Sequence, residues 1–416
     1  MECAPNTTEV ISLSLPDNNL ISLKKEFGVP IVLANLTSLQ ILNLANNNFQ
    51  GGFETAFNSL TELRSLDLSR AGLSVSDLSG LTNLRYLALR GVIFGQNIDF
   101  LRNLTKLEYL DLSRDFTERT SVTTEPIGAL HALRFLQLAG NGLSNLASFA
   151  GLTELEFLDL SNTQLDGGWP GYEGTEALSH MTRLQYLDLG VSTPPTPNPQ
   201  SNILSPILGL SQLSNLRLAG VNLTCSLPMN FFSSLTNLTN LDLSFTNLTG
   251  EIPANIHLAP LLTQILLQGN TLTGNIPPTI CSLQHLVGLN ATHNNLTGHL
   301  PKDLGNLSQL QKLHLGKNLL SGSIPESIGA LTNLTIIELQ SNRLTGPIPD
   351  MRHLLNLTVL NLAGNFLDGP LPEGLGPVIR AGLTYLDLSN NKITGLIPDL
   401  FGEHTLNHLV PCYPLL

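Results

Sequence analysis

The chain is 416 residues long, with 12% charged residues and a formal net charge of −12 from 20 Lys and Arg against 32 Asp and Glu. No basic run interrupts this acidic balance, which excludes nucleic acid as a partner. A chain of this length would ordinarily divide into roughly two or three globular domains, a limit that growth by repetition escapes.

The opening MECAPNTTEV has no basic and apolar leader pattern, and no apolar run of about 18 residues that could cross a bilayer occurs in the sequence. From residue 10, leucines recur as L-x-x-L-x-x-L-x-L-x-x-N-x-L. The second strand leucine falls at Leu15, Leu44, Leu68, Leu89, Leu112, Leu138, Leu160, Leu189 and Leu218, and then at Leu243, Leu267, Leu315, Leu339, Leu362 and Leu388, with Ala291 in the same slot. These make about sixteen units, and a period of 20 to 29 residues with this spacing is the leucine-rich-repeat signature. One unit cannot bury its own leucines, but stacked neighbours can. The predicted fold is an α/β repeat solenoid, a leucine-rich-repeat superhelix with a concave parallel β-sheet.

Residues 10–225 hold irregular repeats, in which Ala71, Val92, Asp115, Thr163, Ser192 and Val221 replace the asparagine of the template. In this stretch Tyr86, Tyr109, Phe135, Phe157 and Tyr186 occupy one inner-sheet slot of five successive units, with Arg90 and Arg114 near them and Arg70 in register. Such a column is either repeat wording or a rigid set of binding anchors. The neighbouring column of Asp67, Asp111, Asp159, Asp188, Asp242 and Asp387 reads as repeat wording. Loops at Asp115 to Glu125, Asp166 to Ala177 and Ser192 to Pro206 lengthen three units, and the second carries the only tryptophan, Trp169, with Tyr172. Loops of this kind either flank a binding face or are surface slack.

Residues 226–399 hold regular repeats of about 24 residues, as in LQSNRLTGPIPD from Leu339. Alternation in IIELQ sends Ile337 and Leu339 inward and Ile336, Glu338 and Gln340 outward. Asn342 then falls where the strand ends, and its amide can satisfy turn backbone that would otherwise be buried unpaired. Gly346 permits a tight bend, and Pro347 and Pro349 hold extended geometry where no ladder donor is needed. Lys312, His314 and Lys317 form a secondary basic cluster, against which stands a merely solvated face.

The tail L-T-G-x-I-P, as in Leu344 to Pro349 and Leu248 to Pro253, resembles the plant-type leucine-rich repeats of receptor kinases and receptor-like proteins. The resemblance implies a cell-surface ectodomain that binds a peptide or protein ligand on its concave face and signals through a co-receptor or partner kinase. It also makes residues 1–9 the remnant of an N-terminal cysteine cap, with Cys3 its last cysteine, and 400–416 a truncated repeat with an irregular tail. The chain is accordingly expected to be part of a larger receptor, with any membrane attachment in a segment outside it. Two other readings stand beside this one: a secreted inhibitor of a cell-wall-degrading enzyme, similar to the polygalacturonase inhibitors, and a cytosolic scaffold if the chain ends are genuine.

No catalytic constellation, cofactor motif or metal set is predicted. His285, His293, His299 and His314 lie at different points of adjacent units and read as solvated. Cys225 and Cys281 lie two units apart, beyond the roughly 7 Å reach of a disulfide, and Cys3 and Cys412 sit at opposite ends. Asn6, Asn35, Asn103, Asn222, Asn237, Asn247, Asn290, Asn295, Asn306, Asn333 and Asn356 begin glycosylation sequons, Asn290 on the inner sheet. An Asn- and Thr-rich repeat also writes such triplets on its own.

Overall fold

A computed structural model describes residues 2–3, 9–20, 33–49, 57–75, 77–94, 98–114, 121–143, 145–165, 174–191, 203–395 and 408–410. Asn6, Trp169, Tyr172, Cys412 and most of the three long loops lie outside the described residues. The chain forms two compact units, Met1–Leu213 and Ser214–Leu416.

In the first unit the main sheet runs through Val10–Ser14, Ile41–Asn43, Ser65–Asp67, Tyr86–Ala88, Tyr109–Asp111, Phe135–Gln137, Phe157–Asp159 and Tyr186–Asp188. Neighbours pair in parallel and in register, Leu66 opposite Leu87 and Leu87 opposite Leu110, so equivalent residues form true columns. Among the described residues, only Glu2–Cys3 pairs antiparallel, with Ser12 and Val10. Each three-residue strand buries its central leucine and turns the flanking residues to the open face, as a period of two requires. Leu66, Leu87, Leu110, Leu136, Leu158 and Leu187 are all 0% exposed. Complete burial of each contributes about 2 kcal/mol.

The second unit repeats this arrangement from Asn215–Arg217 through Lys312–His314 to Tyr385–Asp387 and His408–Val410. Short 3-10 turns such as Pro278–Ser282 and Glu326–Ala330 return the chain on the far side, within the few residues the period leaves. The L-T-G-x-I-P tails, expected as bends, also form a second line of parallel pairing. Ser321–Gly322, Arg343–Gly346, Phe366–Gly369 and Lys392–Ile393 pair in succession, and single bridges such as Glu251 with Thr273 carry the line upstream. Gly346 closes its lateral strand at φ +76°, a left-handed conformation that a side chain resists.

Asn342 does what its position suggests. Its amide nitrogen donates to the carbonyls of Leu315 and Leu339 at 3.0 Å, and its oxygen accepts from the Leu320 amide at 3.0 Å. Asn270, Asn294, Asn318, Asn365 and Asn391 repeat this two-carbonyl clasp. Where threonine replaces asparagine, part of the function survives: the Thr163 and Thr246 hydroxyls reach the carbonyl three residues back, and that of Thr246 also lies 3.0 Å from Oδ1 of Asn270.

The residue just before the asparagine slot is left-handed in unit after unit. Asn46, Arg70, Gly91, Gly140 and Asn162 take it in the first unit, and Gly220, Phe245, Gly269, His293, Lys317, Ser341, Gly364 and Asn390 in the second, at φ between +50° and +78°. Glycine and asparagine fill this slot cheaply. Arginine, phenylalanine, histidine and lysine fill it at a cost of about 1 kcal/mol each.

Candidate ligand-binding site

The five aromatic residues lie in one column of the first unit, opposite one another in register: Tyr86 with Tyr109, Tyr109 with Phe135, Phe135 with Phe157 and Phe157 with Tyr186. Their rings form a continuous face-to-face stack. Successive centroids are 4.1–4.2 Å apart, and the planes are tilted by 9–17°. This spacing is tighter than the roughly 4.8 Å between strands, so side chains on this face of the unit converge, as they do on a concave surface. Each stacked pair contributes about 1 kcal/mol beyond its buried area.

Stacking makes the rings half-buried rather than freely exposed. Because the faces are spent on one another, the row offers its ring edges to solvent. Its ends are hydroxylated and its centre is not. The Tyr186 hydroxyl makes a long hydrogen bond of 3.4 Å to Oδ2 of Asp188. Burial, together with the negative charge of Asp67, raises the Tyr86 phenol above its ordinary range. Tyr109 is driven further up by burial and by Tyr86. Neither phenol ionises near neutral pH, so the row is uncharged.

Charged columns border it on both sides. In the slot before the rings Arg64, Arg85, Glu108, Arg134 and Glu156 follow one another. Arg85 pairs with Glu108, and Arg134 Nη2 lies 2.6 Å from Glu156 Oε1. On the other side stand Asp67, Asp111, Asp159 and Asp188. Each turns Oδ1 back onto a backbone N–H two residues on, of Ser69, Ser113, Ser161 and Gly190, at 2.8–3.0 Å. This Asx cap at the strand exit is the physical reason for the aspartate wording. Asn43, Asn290 and Asn361 cap the same way. Burial raises the Asp111 carboxyl pKa, opposed by the hydroxyl and N–H of Ser113 and by the positive charge of Arg90. Arg114 is half-buried at the rim.

The second cluster is less basic than its sequence. Lys312 is exposed on the open face and Lys317 sits in the left-handed slot, but His314 Nδ1 is 2.7 Å from Glu338 Oε2 on the adjacent strand. His314 is thus paired rather than solvated, whereas His285, His293 and His299 are exposed. Cys225 and Cys281 are free thiols. Among the sequons, Asn222 is 5% exposed and its oxygen accepts from Asn247, leaving no glycan acceptor at the folded surface there. Asn35, Asn103, Asn247, Asn295, Asn306, Asn333 and Asn356 are exposed. The Arg/Glu alternation and the left-handed slot were both missed from sequence. The first was visible as charges one residue before the ring column. The second was visible as the frequent Gly or Asn before the template asparagine.

Leucine rich repeat models match residues 37–91 and, in separate stretches, 237–258, 261–283, 285–307, 309–331, 356–377 and 382–404. Receptor-like protein 41 of Arabidopsis thaliana is 28% identical over 186 residues, 44% of this chain and 18% of that protein. The plant peptide hormone receptor RGFR1, solved in complex with RGF2, superposes with a TM-score of 0.78 at 26% identity, covering 95% of this chain and 62% of that one. A TDR receptor does so with a TM-score of 0.75 at 29% identity, covering 93% and 69%. Fold and matches together make this a leucine-rich-repeat protein. The relative and the solved structures it is similar to are plant receptors. The match with the Arabidopsis relative spans only about a fifth of that protein's length.

Proposed function

We propose that this chain is the ligand-recognition part of a plant cell-surface receptor and that the open face of the first unit's main sheet takes a peptide or protein ligand. The observation that carries this reading is the row of five stacked rings on that face. A rigid, uncharged aromatic surface binds with little loss of side-chain entropy, and such residues dominate interface energetics. Peptide binding by RGFR1, whose structure contains RGF2, supports the same class of ligand here. Recognition rather than catalysis is the role of the chain, and signalling passes to a partner kinase at the extracellular face of the plasma membrane. Arg90 and Arg114 line the rim of the face, and Lys312 and Lys317 offer a secondary contact in the second unit. Trp169 belongs to the same recognition region by its place in the repeat sequence.

The test is to pan a random peptide display library against the full chain and to measure the enriched peptides on a Phe135→Ser/Phe157→Ser variant. At least tenfold weaker binding to a variant that keeps its far-ultraviolet circular dichroism supports the reading. Unchanged affinity would place recognition elsewhere.

A further inference from the structure

The aromatic row has an electrical direction. Around its Tyr86 end, the three strands Ser65–Asp67, Tyr86–Ala88 and Tyr109–Asp111 and their flanking slots carry Arg64, Arg70, Arg85, Arg90 and Arg114 against Asp67, Glu108 and Asp111. Five positive charges against three negative leave that end net positive by two. Around the Tyr186 end, the strands Phe135–Gln137, Phe157–Asp159 and Tyr186–Asp188 carry Arg134 against Glu156, Asp159 and Asp188, which leaves it net negative by two. The slots that hold Arg70 and Arg90 near one end hold Gly140, Asn162, Ala139 and Ser161 near the other. Arg70 also sits at φ +51°, where Asn46 and Asn162 sit in their own units at lower cost. The slot holds its arginine at the same cost as Phe245, His293 and Lys317 incur in theirs, so the fold does not require a positive charge there.

Between the charged ends the row is apolar. Phe135 and Phe157 have no hydroxyl, and their exposed edges suit aliphatic groups or the face of an incoming ring. The stack advances in four steps of 4.1–4.2 Å, a span that an extended peptide covers in about five residues. We propose that the ligand is an extended peptide segment whose charge is segregated, with an acidic end over Arg64 and Arg70, an apolar middle over Phe135 and Phe157, and a basic end over Asp159 and Asp188. This inference rests on the ligand-binding reading of the row and adds the chemistry and orientation of what lies on it.

The protein itself supplies variants that should keep the fold. Asparagine already takes the aspartate slot at Asn43, Asn290 and Asn361, with the same backbone cap, and the arginine slot at Asn46 and Asn162. The experiment measures binding of two capped nine-residue peptides of one composition, two glutamates, five apolar residues and two lysines. In the first the glutamates and lysines occupy opposite ends, made in both chain directions, and in the second they are interleaved. The full chain should bind the better segregated peptide about tenfold more tightly than the interleaved one, a preference that shrinks as salt rises. Arg64→Gln/Arg70→Asn and Asp159→Asn/Asp188→Asn should each remove most of it. Equal binding of the peptides, no binding of the segregated peptide, or a preference that survives both variants would overturn the inference. Phe135→Ser/Phe157→Ser separates the two levels: if it abolishes binding of both peptides, the row is the site whatever the polarity result, and if binding persists the site reading itself falls.

Discussion

At the scale of single residues, the asparagine column shows how a buried polar side chain can be the cheapest solution. Removing the Asn342 amide leaves the buried Leu320 N–H without its acceptor and takes one of two donors from each of the carbonyls of Leu315 and Leu339, which keep Asn318 and Asn365, so Asn342→Ala should cost about 2 kcal/mol by denaturant unfolding. Asn342→Thr should cost about half as much, because a hydroxyl can still reach the carbonyl of Leu339, as Thr163 and Thr246 reach theirs. Equal losses would mean that the bond to the Leu339 carbonyl contributes nothing. The left-handed slot makes the opposite prediction. Phe245→Asn should stabilise the protein by about 1 kcal/mol despite deleting a ring, since that ring is 61% exposed and its backbone is at φ +57°. Cys281 is buried, and burial together with Asp303 pushes its thiol up to about 11. Iodoacetamide at pH 8 should therefore alkylate it more than about tenfold more slowly in the native chain than in urea, as read by peptide mass spectrometry. The asparagine clasp was legible in the sequence because a polar residue between leucines must find partners. The left-handed slot was not, because Arg70, Phe245, His293 and Lys317 disguise a preference that only their glycine and asparagine counterparts reveal.

Among elements, the unit of organisation is the column rather than the strand. A three-residue strand is too short to stand alone, and it gains its identity from neighbours in the same register. The ring row behaves likewise. Phe135→Ala and Tyr109→Ala remove a shared stack and should be non-additive by about 1 kcal/mol, whereas Tyr109→Ala and Phe157→Ala, separated by Phe135, should add. Additivity in both pairs would show that the rings stabilise only by burial. The sequence disclosed the aromatic column, since one slot recurs in five successive units, but not the stack. Ring spacing depends on how far the side chains of one face converge, and a repeat period carries no information about that. The second line of pairing was hidden for a related reason: its glycines and prolines read as turn residues, and only their alignment with equivalents in adjacent repeats turns them into a ladder.

For the whole molecule, the secretory reading carries its own check. A chain that passes through that pathway meets the glycosylation machinery, so native material should bear N-glycans at exposed acceptors such as Asn35, Asn103, Asn306, Asn333 and Asn356 and none at Asn222. Enzymatic deglycosylation in heavy-oxygen water, followed by peptide mapping, reads each site. Modification at Asn222 would contradict its burial, and a chain without any glycan would remove the cell-surface placement. The acidic balance, with a net charge of −12, also means that the arginine-rich end of the ring row is a local exception to the molecule's field. The row has one further consequence, optical rather than energetic. Rings held nearly parallel at 4.2 Å share their electronic transitions, so the native protein should show a coupled ultraviolet circular-dichroism band that isolated tyrosine and phenylalanine lack. Any molecule that settles onto the ring edges perturbs all five chromophores together, which gives the protein a label-free signal of occupancy built from its own side chains.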